Sequence, residues 1–463
     1  MSDRLLAVTE SVCPVCLRTV AAQRVATGDD VYLHKRCPEH GAFKTIVWRG
    51  LETYFQWGER GSRAAAPPVT ETPVERGCPH DCGICPEHRQ HSCCVLLEVT
   101  QRCNLRCPVC FASAEREDSD PDIAEIEAWL RLLQRHGSPV NIQLSGGEPT
   151  VRDDLPEIVA RCRMLGFDFV QLNTNGLRLA KEAGYAKQLA DAGLDCVFLQ
   201  FDGVSDGVYR RIRGANLLAV KKTAIMRCAD AGLGVVLVPT LVPGVNVGEI
   251  GNILAFALAR VPAVRAVHFQ PVSYFGRYPA APADRDRITL PEVMRELERQ
   301  TDGMVQASDF APGSAENAYC SFSGKFFVGG NGRLHAAAAP GGGCGDSSSG
   351  CGCGLPAADD AAQRARRVVA GQWAAEAAEA ASPDTPGIGI ASFEAFLANH
   401  RHSFSISGMA FQDAWNLDLE RLRECFIHVV SPDRRVIPFC AYNLTSASGE
   451  PLYRRPHHEC ALA

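Results

Sequence analysis

Residues 100–111 read T-Q-R-C-N-L-R-C-P-V-C-F and place Cys103, Cys107 and Cys110 at spacings of four and three, just after an apolar run. A structural zinc site uses one close pair of ligands and a second pair farther along the chain. A disulfide framework has no use for thiols packed this closely. Three thiolates on one tight loop suit a four-iron cluster, since they hold three irons and leave the fourth open to a ligand.

The surroundings of this stretch support that chemistry. From residue 95 to about 300, short apolar runs alternate with helix-like stretches. The runs are V-L-L-E-V-T (95–100), N-I-Q-L-S (141–145), F-V-Q-L-N-T-N (169–175), C-V-F-L-Q-F-D (196–202), V-V-L-V-P-T-L (235–241) and A-V-H-F-Q-P-V (266–272). Each reads as a nearly continuous apolar strand of a parallel sheet covered on both faces. Between them, 153–165 carries Leu155, Ile158, Val159 and Cys162 at helical spacing. Six βα units with right-handed crossovers predict an α/β fold, a partial (β/α)6 barrel. Chemistry in such folds sits at the carboxyl ends of the strands, where the three-cysteine stretch lies.

Cysteine is the anomaly of the composition. There are 21 cysteines in 463 residues, and most fall in clusters. Clustered thiols in a reducing compartment mean metal or redox chemistry more often than disulfides. The opening C-P-V-C (Cys13, Cys16) and the later C-P-E-H (Cys37, His40) predict a mononuclear zinc or iron site in a zinc-ribbon or rubredoxin-like module over 1–58. Residues 59–94 combine an Ala/Pro-rich linker with a Cys-rich segment, G-C-P-H-D-C-G-I-C-P-E-H-R-Q-H-S-C-C. In that segment Cys78, Cys82 and Cys85 repeat the spacing of four and three, and Cys93 or Cys94 is a fourth ligand for an auxiliary 4Fe–4S cluster. A zinc knuckle is the competing reading. His80, His88 and His91 surround this triplet and read as supporting or surface groups. Residues 301–463 form a C-terminal region in which Cys320, Cys425 and Cys440 are candidates for a third cluster, completed by Cys344, Cys351 or Cys353. The Gly/Ser-rich stretch 341–354 reads as a flexible loop, and 357–381 as a helical Ala/Glu/Arg stretch. Cys162, Cys196 and Cys228 read as core thiols, and Cys460 as free.

Charge and hydropathy narrow the classes further. A net charge of −6 provides no general basic field for nucleic acid. The N-terminus has no apolar core followed by a cleavage site, and no apolar stretch approaches a membrane span. A cytoplasmic location is expected, with membrane-surface association left open.

The C-x-x-x-C-x-x-C stretch after the first strand, followed one βα unit later by S-G-G-E-P (145–149), resembles the radical SAM superfamily. More of the chain resembles one branch of it, namely C-P-V-C…C-P-E-H-G, the second Cys-rich segment, S-G-G-E-P-T-V-R-D-D-L, L-Q-F-D-G, F-Q-P-V-S-Y-F-G-R-Y and I-P-F-C-A-Y-N. That branch contains archaeal tetraether lipid synthase and enzymes proposed to methylate 7,8-dihydro-6-hydroxymethylpterin. The resemblance implies a 4Fe–4S cluster on Cys103, Cys107 and Cys110, one or two auxiliary clusters, and S-adenosylmethionine held near Gly146, Gly147, Glu148 and Pro149. It also implies ribose and carboxylate contacts from Asn173 and Asn175, further contacts from Gln200 and Asp202, and an adenine cradle at 238–246. An electron donor such as flavodoxin or ferredoxin is expected. Reductive cleavage would generate a 5′-deoxyadenosyl radical that abstracts a substrate hydrogen. The outcome is C–C bond formation or methylation on a lipid chain or a pterin, with a peptide-modifying enzyme or a multi-cluster electron carrier as alternatives. Many members carry an aromatic residue just before the third cysteine; here that residue is Val109, and Phe111 follows instead. Arg210, Arg211 and Arg213 in Y-R-R-I-R-G could bind a carboxylate or phosphate, and a solvated helix face is the preferred reading.

Overall fold

The structure is a computed structural model, and it describes residues 3–59, 67, 69–114, 120–136, 140–313, 315–329, 332–337, 358–375 and 400–454. Cys344, Cys351, Cys353 and Cys460 lie outside these residues.

Two sheets organise the chain. The first is the N-terminal antiparallel sheet of β1 (Arg4–Val12), β2 (Thr19–Thr27), β3 (Asp30–Cys37) and β4 (Gly41–Arg49), in sequential order. It docks on the rest of the molecule through polar contacts at its base. Arg24 Nε donates to Asp418 at 2.6 Å, and buried Lys35 Nζ donates to the Ala414 carbonyl at 2.7 Å.

The second sheet holds the six expected parallel strands. They are β5 (Cys94–Thr100), β6 (Asn141–Gly146), β7 (Val170–Thr174), β8 (Cys196–Gln200), β9 (Gly234–Val238) and, after the short β10 (Thr240–Leu241), β11 (Val264–Pro271). Neighbours pair in the order β5–β6–β7–β8–β9–β11, all parallel. This is the α/β partial barrel expected from the alternating runs. The sheet continues beyond both ends of that series. β14 (His400–Met409) pairs parallel with β11, and β12 (Ser321–Gly329) and β13 (Leu334–Ala336) extend that edge antiparallel. At the other edge β15 (Ile427–Val430) pairs parallel with β5, and β16 (Val436–Pro438) follows. Residues 301–463, expected as a region of their own, therefore supply strands to both flanks of the central sheet.

The strands are less uniformly apolar than their runs suggest. Val95, Leu97, Ile142, Leu144, Val170, Leu172, Val197, Leu199, Val235 and Leu237 belong to the main core under the helices. The alternate positions line the concave face, because side chains on a strand alternate with period two. There stand Gln143, Ser145, Gln171, Asn173, Gln200, His268 and Gln270. The amino end of the lumen is plugged by the helix Ala358–Trp373, whose Val369, Ala370 and Trp373 pack on Phe169, Cys196, Phe198, Val236 and Ala266.

Candidate active site

The loop after β5 carries the three cysteines into the mouth of this lumen. Cys103, Cys107 and Cys110 all line one cavity of about 300 Å³. The loop is held from two sides. Arg277 Nε donates to the Cys107 carbonyl at 3.0 Å, and Cys110 and Arg277 exchange backbone hydrogen bonds at 2.9 and 3.0 Å. Burial pushes the Cys103 thiol up to about 12 and also raises Cys107. Sites like these favour a neutral thiol unless a metal ionises it. Three thiols on one loop, lining one cavity, are the donor set that a 4Fe–4S cluster takes, so the residues fit the expected cluster.

The glycines of S-G-G-E-P make room for this same loop. A Cβ on Gly146 would stand 2.1 Å from the Thr100 carbonyl, and one on Gly147 2.3 Å from that of Arg102. Gly146 also has φ +120, which side chains rarely adopt. Gly147 N donates to Thr100 O at 2.8 Å and Glu148 N to Arg102 O at 2.9 Å. The end of β6 is thereby stitched to the cysteine loop. The buried Glu148 carboxylate accepts from Thr150, Thr174 Oγ1 at 2.6 Å and Asn175 N at 2.7 Å. Its acceptors are thus engaged within the chain, while Pro149 opens a short 3-10 turn.

Asn173 and Asn175 both reach the cavity. Asn173 Oδ1 accepts from Gln143 Nε2 at 2.5 Å, and Asn175 Nδ2 donates to Asn104 Oδ1 at 2.7 Å. Asp202 behaves differently. It is fully buried and closes a paired contact with Arg213, Nε to Oδ2 at 2.7 Å and Nη2 to Oδ1 at 2.8 Å. Arg213, expected on a solvated helix face, is only 7 % exposed and lines the cavity. It stands against Cys107 and pulls that thiol downward, against the larger effect of burial. The amide of Gln200, with its oxygen turned toward the guanidinium, accepts from Arg213 Nη1 at 3.2 Å. The solvated-face reading fails for Arg213 alone, because of the three arginines on the helix Asp206–Arg213 only the last points inward. The signal was its place opposite Asp202, at a strand end.

The aromatic displaced to Phe111 still borders the cavity, as does Val109. Its ring packs on Phe439 at 5.9 Å. The 238–246 stretch is braced by Asn246, whose Nδ2 donates to the Asp202 carbonyl at 2.9 Å.

Nine of the remaining described cysteines fall into three groups. Cys13, Cys16, Cys37 and His40 converge, with all four ligand atoms within 4.8 Å of one another. Cys78, Cys82 and Cys85 share a small crevice with His88 and Arg423. Cys320, Cys425 and Cys440 act on one another electrostatically, and burial raises all three thiols. Cys93, expected with the second triplet, starts at the lower end of β5 and lines the barrel cavity. It shares the neighbour Glu316 with Cys320 and Cys425. The register of β5 against β6 carries it there, since Cys93 O accepts from Asn141 N. Cys94 faces the lumen beside it and donates to Gln143 Oε1 at 3.4 Å. Cys162, Cys196 and Cys228 are buried among apolar neighbours, as expected. His88 is buried, its Nε2 3.2 Å from that of His428. His91 is buried as well, and His80 lies half-buried in the segment between Cys78 and Cys82.

A partial barrel with a three-thiol loop at its mouth is the arrangement of a radical SAM protein, and here a four-ligand ribbon accompanies it. The radical SAM superfamily pattern matches residues 97–257, and the HMPTM N-terminal zinc ribbon domain matches residues 5–49. The chain is 35% identical to the 7,8-dihydro-6-hydroxymethylpterin dimethyltransferase of Methanocaldococcus jannaschii, over 94% of this chain and 93% of that protein. It belongs to that enzyme's family. A PqqA peptide cyclase of Methylobacterium nodulans is 31% identical over 46% of this chain and 56% of its own length. A Fe-coproporphyrin III synthase of Methanosarcina barkeri is 34% identical over 40% of this chain and 45% of its own.

Proposed function

We propose that this enzyme cleaves S-adenosylmethionine at a 4Fe–4S cluster on Cys103, Cys107 and Cys110 and abstracts hydrogen from a small pterin-class heterocycle on the way to its methylation. The observation that carries this reading is one cavity in which the three thiols share a wall with strand-end amides. A cluster held there by Cys103, Cys107 and Cys110 and reduced by a low-potential donor would supply the electron for reductive cleavage of S-adenosylmethionine.

The chain's own residues hold and shield this chemistry. Glu148 ties the ends of β6 and β7 together, so the backbone at Gly146 and Gly147 stands fixed beside the loop. Arg213 places a charge against Cys107 that favours the thiolate. Asn173, Asn175 and Gln200 line the cavity with amides suited to the ribose and amino-acid parts of the cofactor. The nearly full-length likeness to a pterin dimethyltransferase supports a pterin-class substrate. Cys78, Cys82 and Cys85 hold one auxiliary cluster in this reading. Cys320, Cys425 and Cys440 hold another, with Cys93, which shares the neighbour Glu316 with Cys320 and Cys425, a candidate for its fourth ligand.

The test is anaerobic. Iron- and sulfide-loaded protein receives S-adenosylmethionine and dithionite, and 5′-deoxyadenosine is followed in wild type and Cys107→Ala. Product from the wild type alone, stimulated by the dihydropterin, supports the proposal. Stimulation by lipid chains instead moves the substrate to that class. No cleavage by fully loaded protein sinks the whole reading.

A further inference from the structure

The lumen below the thiol loop contains a buried amide without a partner. Gln171, on β7, is 2 % exposed and lines the cavity, and its Oε1 makes no hydrogen bond among the described residues. Its neighbours are satisfied. Across the β6–β7 register Gln171 stands beside Gln143, which joins Asn173 and Cys94. An orphaned amide oxygen in a protein interior costs the full desolvation of that group, so such positions call for an explanation.

Around it the lumen offers flat apolar surfaces. The rings of Phe198, His268 and Trp373 form a triangle, with centroids 4.8 Å apart for Phe198 and Trp373, 5.9 Å for Phe198 and His268, and 6.1 Å for His268 and Trp373. All three line the same cavity as Gln171. His268 is anchored through Nδ1 to Ser407 Oγ at 2.9 Å, and burial keeps its imidazole neutral. Trp373 is anchored through Nε1 to Ser405 Oγ at 3.2 Å. Anchored rings offer a stacking surface at little ordering cost. A primary amide presents a donor and an acceptor side by side and matches a ring edge that carries the complementary pair.

We propose that Gln171 reads the edge of the substrate's nitrogen heterocycle, a ring carrying a hydrogen-bond donor and acceptor side by side, seated against Phe198, His268 and Trp373. This rests on the pterin-class reading given above and adds the residue that selects within it. The adenine of S-adenosylmethionine has an edge of the same chemistry, and the experiment separates the two.

The experiment compares cluster-loaded wild type with Gln171→Leu and Gln171→Glu. Dissociation constants are measured for 6-hydroxymethyl-7,8-dihydropterin and for S-adenosylmethionine, together with 5′-deoxyadenosine formed without substrate. Leucine fills the space and removes the orphan oxygen, so the thermal midpoint of that variant should be no lower than wild type. The expected result is a dihydropterin affinity weakened about tenfold or more by leucine, with cofactor affinity and uncoupled cleavage unchanged. Glutamate keeps an acceptor and loses the donor, and should weaken the same ligand. Equal dihydropterin affinity in wild type and Gln171→Leu overturns the inference. So does a loss confined to S-adenosylmethionine, which would give the edge to adenine. If wild type itself binds no dihydropterin, the pterin reading fails on its own. Guanine and lumichrome then serve as probes: dependence of either on Gln171 keeps the inference, and dependence of neither ends it.

Discussion

Gly146 is the residue on which the geometry of the mouth depends most directly. Its φ is +120, and a methyl group added there would stand 2.1 Å from the Thr100 carbonyl, so an alanine meets two penalties at once. Gly146→Ala should lower unfolding stability by about 1–3 kcal/mol from backbone strain alone, read by urea denaturation. It should also reduce bound iron, because the clash is with the strand end that feeds the cysteine loop. A normal iron content and an unchanged midpoint would contradict this account. At the same scale, the grouping of Cys103, Cys107 and Cys110 on one loop and of Cys13, Cys16, Cys37 and His40 in the ribbon was legible, since their spacing is a local property. Arg213 and Gln171 were not. Whether an arginine on a basic helix turns inward depends on a carboxylate eleven residues away, and a buried glutamine in an apolar run looks like an interruption.

Among the elements, the N-terminal sheet has the clearest metal signature. Cys13 Sγ lies 3.6 Å from His40 Nδ1, and Cys16 Sγ lies 4.0 Å from Cys37 Sγ. Four such donors suit a tetrahedral zinc or iron. Cys16→Ser should therefore remove about one equivalent of a mononuclear metal, measured by elemental analysis. The broad absorption of the iron–sulfur clusters should persist, because the ribbon's donors are separate from the barrel loop. Joint loss of both would show that the two sites assemble as one. The six parallel strands were also legible, from runs of the right length separated by helical spacing. Their inward faces were not. N-I-Q-L-S and V-Q-L-N-T alternate with period two, yet their high apolar content masked the alternation. Only the barrel's closure shows that the polar alternate positions look into a lumen.

For the molecule as a whole, buried histidines set the response to acid. Burial lowers His88 and His268 to about 4, and His428 well below the ordinary 6.5. Below pH 6.5 the unfolded chain takes up protons at these positions that the folded chain refuses. Stability is therefore full above about 7, falls as pH drops, and levels off for His88 and His268 near 4. The slope approaches about 1.4 kcal/mol per pH unit for each histidine. Urea midpoints at pH 7.5 and 5.5 check this, and His268→Gln should flatten the difference. The flanking strands were the least legible part of the molecule. β14 and β15 pair with β11 and β5 across long sequence separations, and no local pattern announces such partners. That same pairing sets an order of events during synthesis. Cys103, Cys107 and Cys110 leave the ribosome long before β15 exists to seal the open side of β5. Through that interval the edge of β5 stays unpaired, and arrival of the final segment completes the sheet on that side.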